Sequence, residues 1–198
     1  MKKNDISNAI QALRHGELIL YPTDTLYALG ADIFNEAAVK KVFAVKHRPY
    51  SIPLPVAVAS IEEIESIAWM NEQSWIICER FLPGKLTIIL KKKPKIPALV
   101  TSGSDTIAIR VPRHPIALEL LSSFGPLTVT SANLHQMKTP NLVTEILQQL
   151  KTSFPVCIHD GRGQEIASTI IDLSGKSPRV LREGSISRKQ LLDVIAHG

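Results

Sequence analysis

The run Glu17-Leu18-Ile19-Leu20-Tyr21-Pro22-Thr23-Asp24-Thr25-Leu26-Tyr27-Ala28-Leu29-Gly30 holds the pattern on which the fold turns. Residues 17–21 read as a buried strand, apolar on both faces. Proline at 22 has no N–H to give a sheet and ends it. A polar loop with two threonines and an aspartate follows, and then apolar positions return. Hydroxyls at such a strand end can bind a small ligand, and Gly30 allows a tight bend.

Helical and strand periods alternate along the whole chain. Upstream, Ile6, Ala9, Ile10 and Leu13 share one helical face, with Gly16 as the stop. Downstream, Asn35 is placed to cap a helix that turns Val39, Val42 and Phe43 inward. Residues 52–58 are strand-like, although Pro53 and Pro55 make that strand an edge or irregular. Ser60 to Glu63 is a capping-box pattern, and a helix is expected at 72–81. Strands are expected at 86–91, 106–111, 127–131, 156–159, 168–173 and 180–182. Helices are expected at 115–121, 141–150 and from Ser187 onward, where Gln190 completes a second capping box. Helices and strands that mingle without strict one-to-one alternation predict an α/β fold, one domain over residues 1–198, with a twisted mixed sheet flanked by helices.

Composition narrows the class. The chain has 198 residues, 44% of them apolar and 21% charged, with a mean hydropathy of +0.09. That is a chain able to bury a core unaided and unlike a disordered one. No apolar run reaches the length of a membrane span and no signal peptide opens the sequence, so a cytoplasmic, membrane-free protein is expected. Cys78 and Cys157 form no C-x-x-C pair and read as buried thiols. A net charge of +5 and a pI near 9.3 favour polyanionic partners.

Familiar motifs fail at defining positions. Gly175-Lys176-Ser177 ends like a phosphate loop, but Ile170 stands where the first glycine belongs. Gly161-Arg162-Gly163 starts like a dinucleotide fingerprint, but Ile166 replaces its last glycine, so both read as turns. Ser131 lies outside any G-x-S-x-G, and there is no H-E-x-x-H. The run Lys91-Lys92-Lys93-Pro94-Lys95 is basic, but no aromatic interrupts it as in single-strand binders. No metal ligands and no catalytic acid or base stand out.

Four polar clusters remain at strand ends: Thr23-Asp24-Thr25, Lys46-His47-Arg48-Pro49, Thr106 to Arg113, and Thr128 to Asn133. In an extended loop Lys46 and Arg48 share a side, and a planar fork beside a point charge suits phosphate oxygens. In a strand Thr106, Ala108 and Arg110 oppose Ile107, Ile109 and Val111, so Arg110 needs a partner or an open cavity. Ser168-Thr169 and Arg182-Glu183-Gly184 add two later pieces. Many hydroxyls and several cations suit an anionic nucleotide with a small polar ligand.

These clusters, read in order as Y-P-T-D-T-L-Y-A-L-G, K-H-R-P, A-I-R-V-P-R-H-P, T-S-A-N, S-T-I-I-D and L-R-E-G, resemble the YrdC-like family of threonylcarbamoyl-adenylate synthases over residues 5–190. The resemblance implies a twisted mixed sheet around a large basic cavity, in the short, single-domain form. It implies that L-threonine, bicarbonate or carbon dioxide, and ATP yield threonylcarbamoyl-AMP and pyrophosphate. Downstream transferase proteins then modify tRNA. It implies threonine contacts at Thr25, Arg110, Ser131 and Ser168. It implies ATP contacts at Lys46, Arg48, Thr106, Asn133 and Arg182, with Mg²⁺ held through the phosphates. The chain departs from the family pattern at Ile52, Lys85 and Leu134-His135-Gln136. Two other readings accompany the enzyme: a non-catalytic module binding tRNA or double-stranded RNA, and a carbamoyl-transfer paralogue.

Overall fold

The structure, a computed structural model, describes residues 3–161 and 167–197. Arg162, Gly163 and Ile166 of the second glycine motif lie outside them. In chain order the elements are α1 (Lys3–Arg14), β1 (Ile19–Tyr21), β2 (Ala28–Gly30), α2 (Glu36–Lys46), β3 (Val56–Ala57) and α3 (Ile61–Ile67). Then come β4 (Ala68–Trp69), α4 (Glu72–Phe81), β5 (Leu86–Lys92), β6 (Thr106–Arg110), α5 (Pro115–Phe124) and β7 (Leu127–Thr128). The rest are β8 (Thr130–Ser131), α6 (Val143–Leu150), β9 (Val156–Cys157), β10 (Thr169–Asp172), β11 (Arg179–Arg182) and α7 (Arg188–His197).

The strands form two mixed sheets rather than the one expected. The smaller runs β8-β2-β1-β9, and the larger runs β11-β10-β5-β6-β3-β7 with β4 added beside β5. The reason lies at residues 127–131, read from sequence as one strand. Leu127 and Thr128 pair antiparallel with β3 in the larger sheet, whereas Thr130 and Ser131 pair with β2 in the smaller. Between them the Val129 N–H leaves both ladders to donate to the Pro55 carbonyl, at 2.9 Å. Thr128 also ties the sheets together. Its hydroxyl donates to Leu29 O at 2.9 Å and accepts from Ala31 N at 3.0 Å.

Each sheet face has its own cover. In β1, Ile19 and Tyr21 pack with α1 and α5, while Leu20 packs with α6 on the opposite face. That two-sided burial explains the unbroken apolar run in the sequence. In the larger sheet Ile88, Leu90, Ile107 and Ile109 face a core shared with α2 and α4. The alternate residues face the other way, towards the smaller sheet's strand ends.

Helix starts follow their side chains. Asn35 accepts from Ala38 N at 3.1 Å, and Ser187 and Gln190 exchange bonds in a full capping box. The box expected at Ser60 is split. Ser60 accepts from Glu63 N, but the Glu63 carboxylate turns to Ala59 N at 2.8 Å. The strand read at 52–58 shrinks to Val56–Ala57 because the prolines deny it ladder donors. Among the described residues no helix is long and apolar enough to cross a membrane.

Candidate functional site

Strand ends from both sheets surround a cavity of about 280 Å³. The β1–β2 loop supplies Thr23 and Thr25, the loop after α2 supplies Arg48, and β8 supplies Ser131. From the larger sheet come Thr87, Ala108 and Arg110, joined by Ser168 and by Arg182 of β11.

Arg110 is the most confined of the three arginines that line the cavity, 5% exposed. It stands on the face of β6 opposite Ile107 and Ile109, as the alternation predicts. It has both the partner and the cavity that its apolar neighbours demand. Nη2 donates to Asp24 Oδ1 at 2.6 Å, and Nη1 donates to Thr25 Oγ1 at 2.7 Å. Burial pulls its pKa down and the Asp24 carboxylate holds it up, and a guanidinium stays charged at neutral pH. Its Nε is buried with no hydrogen-bond partner. Two of its five N–H donors are therefore committed to the protein, and the fork keeps donors for an incoming anion.

Thr23 builds the loop that carries Asp24 and Thr25. Its hydroxyl donates to Leu26 O at 2.6 Å, accepts from Thr25 N at 3.2 Å, and lies 3.0 Å from Thr25 Oγ1. This is a local side-chain turn that removes the loop's freedom before any ligand arrives.

On the opposite side, Arg182 wraps Ser168. Its Nε and Nη2 both donate to Ser168 O, at 3.1 and 2.9 Å, and Nη2 also reaches Ser168 Oγ at 3.2 Å. Ser168 Oγ in turn lies 2.8 Å from Thr87 Oγ1. Gly184 lets this corner close: a Cβ there would stand 2.3 Å from Ala167 O. Arg48 is fixed by Ile52 O at 3.0 Å and Pro53 O at 2.7 Å, so position 52 acts through its carbonyl. Burial lowers the pKa of Arg48 and of Arg182.

Lys46 departs from its expected setting. It ends α2 and is not in an extended loop, since His47 takes a left-handed conformation, φ 49°, immediately after it. The side chain is 1% exposed. Its ammonium donates to Ser131 O, to Asn133 O at 2.7 Å and to Asn133 Oδ1 at 3.1 Å. Burial, with Arg48 adding like-charge repulsion, lowers its pKa to about 7, while the three oxygens work against that shift. Asn133 Oδ1 also accepts from Ser131 Oγ at 2.6 Å. Lys46 and Asn133 thus sit behind the cavity wall and shape it through Ser131.

Of the nine residues singled out by the sequence, Thr25, Arg48, Arg110, Ser131, Ser168 and Arg182 line the cavity. Lys46 and Asn133 support it. Thr106 lies further along the Arg110 face of β6, its hydroxyl 2.9 Å from Ser104 Oγ and outside the lining. The sequence reading missed the roles of Asp24 and Thr23. The signal for Asp24 was Arg110 itself, a buried cation in search of a carboxylate. Among the described residues no group of three or more His, Cys, Asp or Glu side chains could hold a metal ion.

Residues 11–184 match the family described as Sua5_yciO_yrdC, telomere recombination. A protein of Pyrococcus abyssi named threonylcarbamoyl-AMP synthase is 37% identical over 187 residues, covering 92% of this chain and 55% of its own length. A putative threonylcarbamoyl-AMP synthase of Methanocaldococcus jannaschii is 40% identical over 178 residues, covering 89% of this chain and 84% of its own. The solved structure of Pyrococcus abyssi Sua5 complexed with L-threonine superposes with a TM-score of 0.92 at 35% identity, covering 98% of this chain and 58% of that one. The chain thus spans little more than half the length of some relatives it matches and most of the length of others.

Proposed function

The chain belongs to the Sua5/YciO/YrdC family, and we propose that it makes threonylcarbamoyl-AMP and pyrophosphate from L-threonine, carbon dioxide or bicarbonate, and ATP. The observation that carries the proposal is Arg110: buried, half-satisfied, and in one chamber with Arg48 and Arg182. The threonine carboxylate takes the free edge of Arg110, with Thr25, Ser131 and Ser168 offering hydroxyls around the rest of the molecule. A relative of the same fold has been solved with L-threonine.

The neutral threonine nitrogen attacks the carbon of carbon dioxide and gives up a proton to solvent water, leaving a carbamate. A carbamate oxygen then attacks the α-phosphorus of ATP as the bond to the β-phosphate oxygen breaks, and pyrophosphate leaves. Starting from bicarbonate, the amine proton instead leaves with the bicarbonate hydroxyl as one water. Such a transfer is accelerated by alignment and by cations placed where negative charge develops. Arg48 and Arg182 supply those cations from two sides of the chamber. Lys46, pinned under Ser131 and Asn133, sets the wall against which the phosphates rest. Thr106 lies on the outward path of the nucleotide. The wall hydroxyls position reactants, so the chamber carries out this chemistry with no acid–base pair. Mg²⁺ would arrive on the triphosphate oxygens and neutralise part of their charge. The product's reactive acyl group is destined for transfer to tRNA by other proteins.

The test is pyrophosphate release by the purified chain from ATP. Release that requires both threonine and bicarbonate is the expected result. Release independent of threonine, or none where a known synthase is active, would reject the proposal.

A further inference from the structure

The floor of the cavity continues beyond its mouth. Ile89 of β5 and Ala108 of β6 line the cavity and oppose each other across the ladder, and the next same-face pair outward is Lys91 with Thr106. β4 extends that row by one strand, because Trp69 pairs with Lys91, and directly opposed residues point to one face. Trp69 is 60% exposed, and Lys93 Nζ lies 4.8 Å from its ring centroid. Asp172, opposite Ile89 on the same face, is held by Arg179 at 2.8 Å. The ledge outside the mouth is therefore aromatic and net positive. The lysine run that had no aromatic in sequence acquires one across the sheet.

Among the described residues the lining offers no open aromatic face to a planar base. The one aromatic among them, Tyr27, is 1% exposed and its hydroxyl is committed to Gly161 O at 2.7 Å. At about 280 Å³ it lies at the small end of the range for ligand pockets. An amino acid and a triphosphate fill it, so the base of the nucleotide must lie outside. We propose that Trp69, at the end of the row Thr106, Lys91, Trp69, is the stacking platform for the purine base of the nucleoside triphosphate whose phosphates enter the cavity. The inference rests on the synthase reading of the cavity and adds to it a residue that no cluster in the sequence pointed to.

The test is equilibrium binding of ATP and of inorganic tripolyphosphate to the native chain, Trp69→Ala, Trp69→Phe and Tyr50→Ala. Trp69 is largely exposed, so its loss leaves the core intact. Trp69→Ala should weaken ATP about 5- to 150-fold, the worth of one stacked base, and leave tripolyphosphate unchanged. Trp69→Phe should restore most of the affinity. Equal ATP affinity in Trp69→Ala, or equal losses for both ligands, would overturn the platform. So would a loss that follows Tyr50→Ala instead: Tyr50 is the exposed aromatic beside Arg48, packed on Phe43 at 4.7 Å. If the native chain bound neither ligand, the nucleotide reading of the cavity would fall, and the platform with it.

Discussion

Arg110 and Asp24 are 86 residues apart in sequence and 2.6 Å apart in the fold, their side chains 6% and 10% exposed. Removing one partner of a buried pair leaves the other charge uncompensated, which costs about 3–5 kcal/mol. Asp24→Ala should lose stability of that order in urea melts, whereas Asp24→Asn, which keeps an acceptor, should lose less. Equal stability of Asp24→Ala and the native chain would contradict the pairing. Lys46 gives a second prediction at this scale. Its native pKa is about 7, against about 10.4 in the unfolded chain. Between these values the unfolded chain holds the proton and the native chain does not, so stability rises with pH across that window. Below 7 both states hold it, and the cost of burying the charge is felt in full. Relative to Lys46→Met, the native chain should gain about 2 kcal/mol from pH 7 to pH 9; a pH-independent difference would exclude the shift. The sequence displayed Arg110 as a charge in an apolar strand. It did not display Asp24 as the partner, because a contact over that separation is set by the sheets and not by local pattern.

Among elements, the corner between β10 and β11 decides where Ser168 and Arg182 stand. A Cβ on Gly184 would run into the 167–169 backbone, Ala167 O at 2.3 Å and Ser168 C and Thr169 N at 2.9 Å. Backbone cannot swing away as a side chain can. Gly184→Ala should therefore lower the urea midpoint and also weaken threonine binding, because Ser168 moves with the corner. Unchanged binding would show that the corner is not coupled to the site. Most elements were legible in sequence, since a helix or a half-buried strand writes its period into the residues: α4 falls at 72–81 as expected, and the alternation in β6 assigned its two faces. What was not legible came from pairing. Residues 127–131 carry one apolar pattern but serve two sheets, and the split is fixed by Pro55, β3 and β2. β4 has only two residues, too few to show any period, and exists because Lys91 and Lys92 offer it a ladder.

Across the whole molecule, the site is a joint between two sheets, and Thr128 is one of its fastenings. Its hydroxyl bridges Leu29 and Ala31, and its carbonyl accepts from Tyr21 Oη at 3.0 Å. Thr128→Val keeps the shape but orphans a buried N–H and a buried carbonyl, at about 1–3 kcal/mol each. It should destabilise the chain by about 2–6 kcal/mol, read from urea unfolding, and a neutral outcome would mean the sheets are held elsewhere. The joint brings Arg48, Arg110 and Arg182 from three distant segments into one chamber. The central claim, that threonine and nucleotide meet there, is tested most directly by calorimetric titration of L-threonine into the native chain and into Arg110→Ala, with and without a non-hydrolysable ATP analogue. Threonine should bind the native chain, bind it more tightly when the analogue is present, and fail to bind Arg110→Ala while the analogue still binds. Threonine held equally well by Arg110→Ala, or untouched by the analogue in the native chain, would contradict a shared chamber.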